Sequence, residues 1–305
     1  MWLLFAFSGP LLWAASTHVD KYLVERYFKH TGVAVLLVFT ALIGLVMLPF
    51  IAAFDSEALA PGWDAALAVA FSGLLYMTAM YFYLRALQGD EASVVAPFFQ
   101  AAPLFGYFLG LVFLHESLTG KQLLGGGLIV VGGALLSINL GKGGRFRLRL
   151  MLLMLICALA LAVSSVIFKA FAKEDQFWTT AFWSYVGEAL FGVAVLMLPA
   201  MRRKFFGLFR RHPGAVIGIN AANELINLGG TLGARYALLL APLSLVQAIA
   251  STTTLFIFAI GVLLTLFLPH LGREDLSARN LIQKGVSAAL ITAGVVLVGG
   301  SVSGS

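Results

Sequence analysis

A polar stripe runs along one apolar segment of this sequence, residues 214–240. Its members fall at positions i, i+3, i+4, i+7 and i+11, which form one face of a helix: Asn220, Asn223, Glu224, Asn227 and Thr231. Hydrocarbon does not solvate these side chains, so the face must meet a wet cavity or other helices. We predict that it lines a cavity and that Asn223, Glu224 and Asn227 bind a small molecule. The alternative is a dry interface in which the amides bond across neighbouring helices.

Two further apolar segments carry polar groups. Residues 243–268 present a second stripe at i, i+3, i+7 and i+10: Ser244, Gln247, Ser251 and Thr254. Residues 93–114 contain Gln100 between Pro97 and Pro103. Each proline removes a backbone donor and frees a carbonyl, as expected where an irregular helix borders a cavity. We therefore predict Gln100, Gln247 and Ser251 as additional substrate-binding residues.

Two carboxylates lie deep inside apolar segments, Glu188 within residues 177–199 and Glu224 within the polar stripe. A charge at this depth costs about 3 kcal/mol or more unless it is paired or protonated. A carboxyl group that trades a proton for a cation suits a proton-coupled carrier, so we predict both residues as coupling sites. The alternative is an internal ion pair, for which Lys169 and Arg235 are the available partners.

Aromatic side chains accompany these polar groups. Trp13, Tyr76 and Trp183 lie inside apolar segments, and Trp183 precedes Glu188 by little more than one helical turn. An aromatic face beside a carboxylate suits an organic cation or an aromatic ring, so we predict that all three contact substrate. Packing within the membrane or its interfacial aromatic belt is the alternative. The histidines share no metal-ligand spacing, and we expect neither a metal site nor a cofactor.

The composition identifies the environment of these residues. Of the 305 residues, 60% are hydrophobic and 11% are charged, and the mean hydropathy is +0.95. Soluble domains carry about 25% charged residues, so the chain is predicted to be a polytopic membrane protein. The net charge of +6 does not indicate nucleic acid binding, because the basic residues lie in short connections between apolar segments. The single cysteine, Cys157, lies within an apolar segment and excludes a disulfide framework.

Ten segments are long enough to cross a hydrocarbon core of about 30 Å, which takes roughly 20 helical residues. The predicted spans 1 to 10 are residues 2–19, 32–54, 65–87, 93–114, 122–140, 150–171, 177–199, 214–240, 243–268 and 281–300. Span 1 lacks the basic leading segment of a signal peptide, so we interpret it as a retained helix.

The sequence repeats itself with an offset of about 150 residues. Met-Leu-Pro occurs at 47–49 and again at 197–199, and Ser16-Thr17 aligns with Ser164-Ser165. The matches predict two five-helix repeats, residues 1–141 and 142–305. Because five is odd, the second repeat crosses the membrane in the opposite sense. The predicted fold class is therefore an all-α polytopic membrane protein with ten transmembrane helices in two inverted repeats.

A longer motif follows span 4, at residues 116–132: Glu-Ser-Leu-Thr-Gly-Lys-Gln-Leu-Leu-Gly-Gly-Gly-Leu-Ile-Val-Val-Gly. Thr119 with Gln122 is a helix capping box, and the glycines allow close helix packing in lipid. The string resembles the signature that closes each repeat of EamA-type members of the drug/metabolite transporter superfamily. Residues 274–280 hold a degraded copy.

This resemblance implies a transporter of small polar or amphiphilic metabolites that works by alternating access, with a cavity lined mainly by helices 1, 3, 4, 6, 8 and 9. We expect the cargo to be an amino acid, an amine or a related compound, moved with protons or by exchange. An intramembrane enzyme acting on lipid-linked substrates and a non-transporting scaffold are the alternatives. The sequence has no Walker-type phosphate loop and no G-x-S-x-G or H-E-x-x-H string. We expect a small-molecule substrate and the lipid bilayer as partners, no nucleic acid, and a monomer or homodimer.

The basic residues also predict an orientation. All Lys and Arg residues except Lys121, Lys169, Lys173 and Arg235 fall on the face that holds the loops after the odd-numbered spans. Basic loops favour the cytoplasm, so both termini are predicted to be non-cytoplasmic, in a bacterial inner (plasma) membrane. Typical members of the resembled family keep their termini in the cytoplasm, and this chain is predicted to be inverted.

This orientation has a direct test. Single cysteines placed in residues 141–149 and 201–212, in a Cys157→Ser background, should resist an impermeant thiol reagent added to intact cells. The expected protection follows from the basic side facing the cytoplasm. Rapid labelling of both segments would show that the chain has the usual orientation of the family.

Overall fold

The computed structural model describes residues 2–28, 32–59, 62–89, 95, 99, 101–115, 118–137, 148–172, 176–211, 213–250, 252–267 and 278–300. The regular structure in these ranges is helical. The helices are α1 (Trp2–Arg26), α2 (Val33–Phe54), α3 (Trp63–Gly89), α4 (Ala101–Phe113), α5 (Gly120–Ser137), α6 (Leu148–Phe171), α7 (Phe177–Met197), α8 (Pro199–Arg211), α9 (Pro213–Leu240), α10 (Leu243–Ala250), α11 (Thr253–Phe267) and α12 (Ala278–Gly300). A short 3₁₀ helix, Ser56–Leu59, lies between α2 and α3.

The helices expose much of their apolar surface, as an integral membrane protein does. Phe54 is 89% exposed and Phe267 is 77% exposed. Extensive apolar surface of this kind is stable against lipid and not in water. Within the described residues, five helical segments are long and apolar enough to cross a membrane: Val33–Phe54, Trp63–Gln88, Arg149–Phe171, Phe177–Met197 and Ala248–Phe267.

Most predicted spans agree with a helix to within a few residues, and two differ in ways that matter for the site. The first span does not end at residue 19, because no Gly or Pro occurs between Pro10 and Gly32, and α1 continues to Arg26. Asp20 therefore lies inside a helix and not in a loop. The segment 243–268 contains two helices. The first, α10, ends at Ala250, and the second, α11, begins at Thr253.

The basic connection predicted at 201–212 contains an amphipathic helix, α8. Phe205 and Leu208 are buried against the core, whereas Phe206 and Phe209 are exposed. The remaining surface of the helix is basic: Arg202, Arg203, Lys204, Arg210 and Arg211. A short basic helix with an apolar face is typical of one that lies in the membrane interface. The sequence predicts a loop here because the basic residues make the segment too polar to cross a membrane.

Five helix pairs make the main contacts: α1 with α9, α3 with α6, α3 with α7, α2 with α7, and α5 with α12. At the α3–α7 crossing, a Cβ atom on Gly73 would lie 2.0 Å from the carbonyl oxygen of Ser184. One on Gly187 would lie 1.8 Å from the carbonyl oxygen of Ala70. Glycine therefore lets the two backbones touch, as small residues do between helices in lipid. The crossing holds residues 184–188 of α7 against α3.

Candidate functional site

A central cavity of about 200 Å³ lies between α1, α3, α4, α6, α9, α10 and α11. These helices correspond to the predicted spans 1, 3, 4, 6, 8 and 9. Its polar lining consists of Trp13, Ser16, Thr17, Asp20, Tyr76, Tyr83, Ser164, Ser165, Asn227, Thr231, Arg235, Thr253 and Thr254. Its apolar lining consists of Met80, Phe99, Ala102, Leu161, Phe168, Ala234, Leu238, Val246 and Ala250. Pockets for drug-sized ligands typically measure about 300–1,000 Å³, so an occupant of this cavity would be a small metabolite.

A buried ion pair adjoins this cavity. Arg235 Nη2 of α9 lies 2.9 Å from Glu188 Oε1 of α7 and also donates to Ser184 Oγ at 2.8 Å. Arg235 is 7% exposed and Glu188 is 4% exposed. Glu188 thus forms the internal ion pair that is the alternative to a free coupling site, and its partner is Arg235. Lys169 donates to the carbonyl oxygen of Ala241.

Aromatic rings surround the guanidinium group. Arg235 Cζ lies 5.8 Å from the ring centre of Tyr76, 5.2 Å from that of Phe168 and 5.4 Å from that of Tyr185. Rings at these distances attract a cation through their negative faces, most strongly where water is excluded. Together with Glu188, these three rings hold Arg235 in one place. The four side chains come from three helices, α3, α6 and α7.

Glu224 has a different environment. It is 5% exposed and accepts a hydrogen bond from Thr40 Oγ1 at 2.5 Å. It borders a second, smaller cavity of about 20 Å³, which also touches Tyr76, Glu188 and Asn227. A cavity of that size is large enough for one water molecule. Since Tyr76 and Asn227 line both cavities, Glu224 lies directly behind the wall of the central cavity.

Some residues of the polar stripe line the central cavity, and another contacts a neighbouring helix. Asn227 and Thr231 line the central cavity. Asn223 instead donates from Nδ2 to Asp20 Oδ1 at 2.8 Å, across the α1–α9 interface. Asn220 is 1% exposed, and neither its Nδ2 nor its Oδ1 has a hydrogen-bond partner among the described residues. The stripe therefore lines the cavity at Asn227 and Thr231 and makes an interhelical contact at Asn223. Asn223 does not line the cavity, but its partner Asp20 does.

Two of the three aromatic residues predicted to contact substrate line the central cavity, and the third does not. Trp13 lines the central cavity, and its Nε1 lies 3.4 Å from Thr231 Oγ1. Tyr76 lines both cavities. Trp183 lies outside the lining of both: its Nε1 donates to the carbonyl oxygen of Ala58 at 3.0 Å, and its ring meets Trp63 edge-on. The reason is helical geometry, since five residues separate Trp183 from Glu188 and place them about 140° apart around α7.

Three of the predicted substrate-binding positions are not described. Gln100 and Ser251 lie outside the described residues, as does the side chain of Gln247. Among the described residues, no group of three or more His, Cys, Asp or Glu side chains could hold a metal ion.

Several cavity residues were not singled out from the sequence. Asp20 was missed because the first span was ended one residue too early. The hydroxyls of α1 and α6 had a usable signal, because the repeat alignment matches Ser16-Thr17 with Ser164-Ser165, and both pairs line the cavity. Arg235 was considered only as a partner for a carboxylate, although it borders the cavity itself.

The ion pair makes a stability prediction. Glu188→Ala should lower the free energy of unfolding by about 3–5 kcal/mol, because it leaves the buried charge of Arg235 without a partner. The double variant Glu188→Leu/Arg235→Met should recover most of the loss, because neither charge remains. Thermal unfolding of the purified protein in detergent measures both effects. Equal losses in the single and double variants would contradict the view that the two charges depend on each other.

Comparisons with known proteins bear on the class of this site. Residues 1–138 match the sequence model of the EamA-like transporter family. No curated protein sequence matches the chain significantly. One solved structure, described only as "Crystal structure of protein", superposes with a TM-score of 0.66 and 14% sequence identity, covering 96% of this chain and 94% of that one. At that identity the likeness concerns the fold alone.

The match to residues 1–138 includes the motif at 116–132 that carried the resemblance, and the apolar helices agree with a membrane location. It confirms the similarity to the EamA-like transporter family over the first part of the chain, which is the part that contains the motif.

Proposed function

We propose that this protein is a secondary transporter that moves a small polar or amphiphilic metabolite, such as an amino acid, an amine or a related compound, by alternating access. The observation that carries the proposal is the central cavity, where hydroxyl, amide and charged groups are enclosed by apolar helices. Polar side chains at membrane depth commonly mark a substrate or ion path, because they are costly anywhere else. The EamA-like match over residues 1–138 supports the same class.

The two inverted five-helix repeats, residues 1–141 and 142–305, are the proposed moving parts. In these two repeats, α1 is equivalent to α6, α2 to α7, α3 to α9 and α5 to α12. A two-fold rotation that exchanges the repeats would place each helix on its equivalent. Four of the five main helix pairs support this exchange: the α1–α9 pair becomes the α6–α3 pair, and the α2–α7 and α5–α12 pairs are exchanged into themselves. A pseudo-two-fold relation between repeats lets one repeat rock against the other around a fixed site.

Glu224 is the proposed coupling residue. Its partner Thr40 is neutral, so the carboxyl group can bind and release a proton without separating an ion pair. Glu188, by contrast, must leave Arg235 to do so. The ionisable groups that face Glu224 are Asp20 of α1, Tyr76 of α3, and Tyr185 and Glu188 of α7.

The proposed location is the bacterial inner (plasma) membrane, with both termini outside the cytoplasm. The basic helix α8 would then lie on the cytoplasmic side, where Lys and Arg residues are enriched.

Coupling through Glu224 can be measured with protein in vesicles that contain a pH-sensitive dye. After a ligand has been found by thermal stabilisation across a metabolite panel, the ligand should drive proton movement in wild type with a clear pH dependence. Glu224→Gln keeps the shape but cannot ionise, so coupled movement should be lost and the pH profile should become flat. Glu188→Gln is the comparison variant. If Glu224→Gln retains the wild-type rate and profile, Glu224 has no part in coupling and Glu188 becomes the candidate.

The division of the polar stripe predicts a contrast between two asparagines. Asn227→Ala should weaken ligand binding about 3- to 10-fold, the value of one hydrogen bond, while the yield of folded protein stays near wild type. Asn223→Ala should mainly lower stability, because it removes the amide that donates to Asp20. Binding isotherms and unfolding midpoints of both variants distinguish a binding role from a structural role for each asparagine. A collapse of Asn227→Ala with no selective effect on binding would favour a dry interface.

A further inference from the structure

The central cavity is lined by one basic and one acidic side chain. Among its lining residues in the described part of the chain, Arg235 is the one basic residue and Asp20 is the one Asp or Glu. We propose that Arg235 anchors a carboxylate group of the transported molecule, so that the cargo is a small organic acid and not a simple amine. The inference rests on the proposed transport function and narrows its substrate class.

The guanidinium group uses only one of its two terminal nitrogens for protein contacts. Nη2 donates to both Glu188 and Ser184. Nη1 has no hydrogen-bond partner among the described residues, although the whole side chain is more than nine-tenths buried. A buried donor of a charged group is costly to leave unpaired. Its retention at the edge of a cavity is explained if an acceptor arrives with the cargo.

The group is also held ready for this contact. The rings of Tyr76, Phe168 and Tyr185 pack around the guanidinium group. Nη1 is covered in this conformation, so a carboxylate reaches it when a covering ring turns aside. Tyr76 is the ring placed to do this, because it borders both cavities and lies over Arg235.

The surroundings favour a carboxylate over other acceptors. Guanidinium groups bind planar carboxylates with directed hydrogen bonds. A doubly charged phosphate would face a single guanidinium group, whose charge Glu188 already offsets. Most of the negative charge of the phosphate would therefore remain buried without a counter-charge. The apolar lining, which includes Phe99, Leu161 and Val246, suits a hydrocarbon portion. A proton on Glu224 would offset the negative charge that the carboxylate adds.

The test compares pairs of probes that differ only in the charged group: butyrate with butyramide, benzoate with benzamide, and leucine with leucinamide. Binding to the purified full-length protein in detergent is measured by the shift of the unfolding midpoint and by titration. In at least one pair the carboxylate should bind and the amide should bind far more weakly or not at all. Arg235→Lys should weaken carboxylate binding about 10- to 100-fold, the range for a hydrogen bond to a charged group. Arg203→Lys, on the exposed face of α8, is the matched control and should leave binding unchanged.

The double variant Arg235→Met/Glu188→Leu provides a second readout, since it removes the charge pair together and does not depend on whether Arg235→Lys folds. It should lose the preference for carboxylate over amide. The proposal is overturned if no carboxylate binds wild type, if amides bind equally well, or if a folded Arg235 variant keeps the preference.

The outcomes separate this inference from the transport proposal. Proton-coupled flux of amines, without any preference for carboxylates, would overturn the role of Arg235 and leave transport standing. Carboxylate binding that depends on Arg235, without flux of any probe in vesicles, would support the anchor and contradict transport.

Discussion

The ion pair between Arg235 and Glu188 is the interaction on which the rest of this structure depends. On a protein surface such a pair contributes little, because water screens both charges. Inside apolar helices neither charge is tolerable alone, so α7 and α9 must keep a position in which the two side chains meet. The aromatic rings around Arg235 and the hydroxyl of Ser184 complete its environment. The walls of both cavities are built around this fixed charge.

Close backbone packing is what makes room for that arrangement. Gly73 and Gly187 bring α3 and α7 into direct contact, so the turn of α7 that carries Ser184 and Glu188 lies against α3. A Cβ atom at either glycine would lie within 2.0 Å of a carbonyl oxygen on the facing helix, so any larger residue there would force the two helices apart. In lipid this contact has little hydrophobic driving force, and it depends instead on van der Waals packing. Small residues and the buried charges therefore act together.

The cavity walls combine satisfied and unsatisfied polar groups. Glu188 and Asp20 have protein partners, whereas Arg235 Nη1 has none among the described residues. A fully satisfied network would bind nothing further and would only hold the helices together. A carrier has to bind its cargo in one state and release it in another. Groups that lack a partner in one conformation therefore suit the alternating access proposed for this protein.

The sequence by itself determined the membrane environment, the helical class and the similarity to the EamA-like family, because hydropathy, helical periodicity and the motif at 116–132 are properties of the chain alone. It also placed Glu188 and Glu224 at depth, and it identified the face of α9 that carries the polar stripe. Only the tertiary structure decided what each polar group meets. Periodicity reports the direction of a side chain around its own helix, and partners come from other helices whose position depends on packing. That is why Glu188 meets Arg235, why Trp183 meets the segment before α3 and not the cavity, and why Asp20, left in a loop by a boundary drawn at residue 19, lies in the cavity wall.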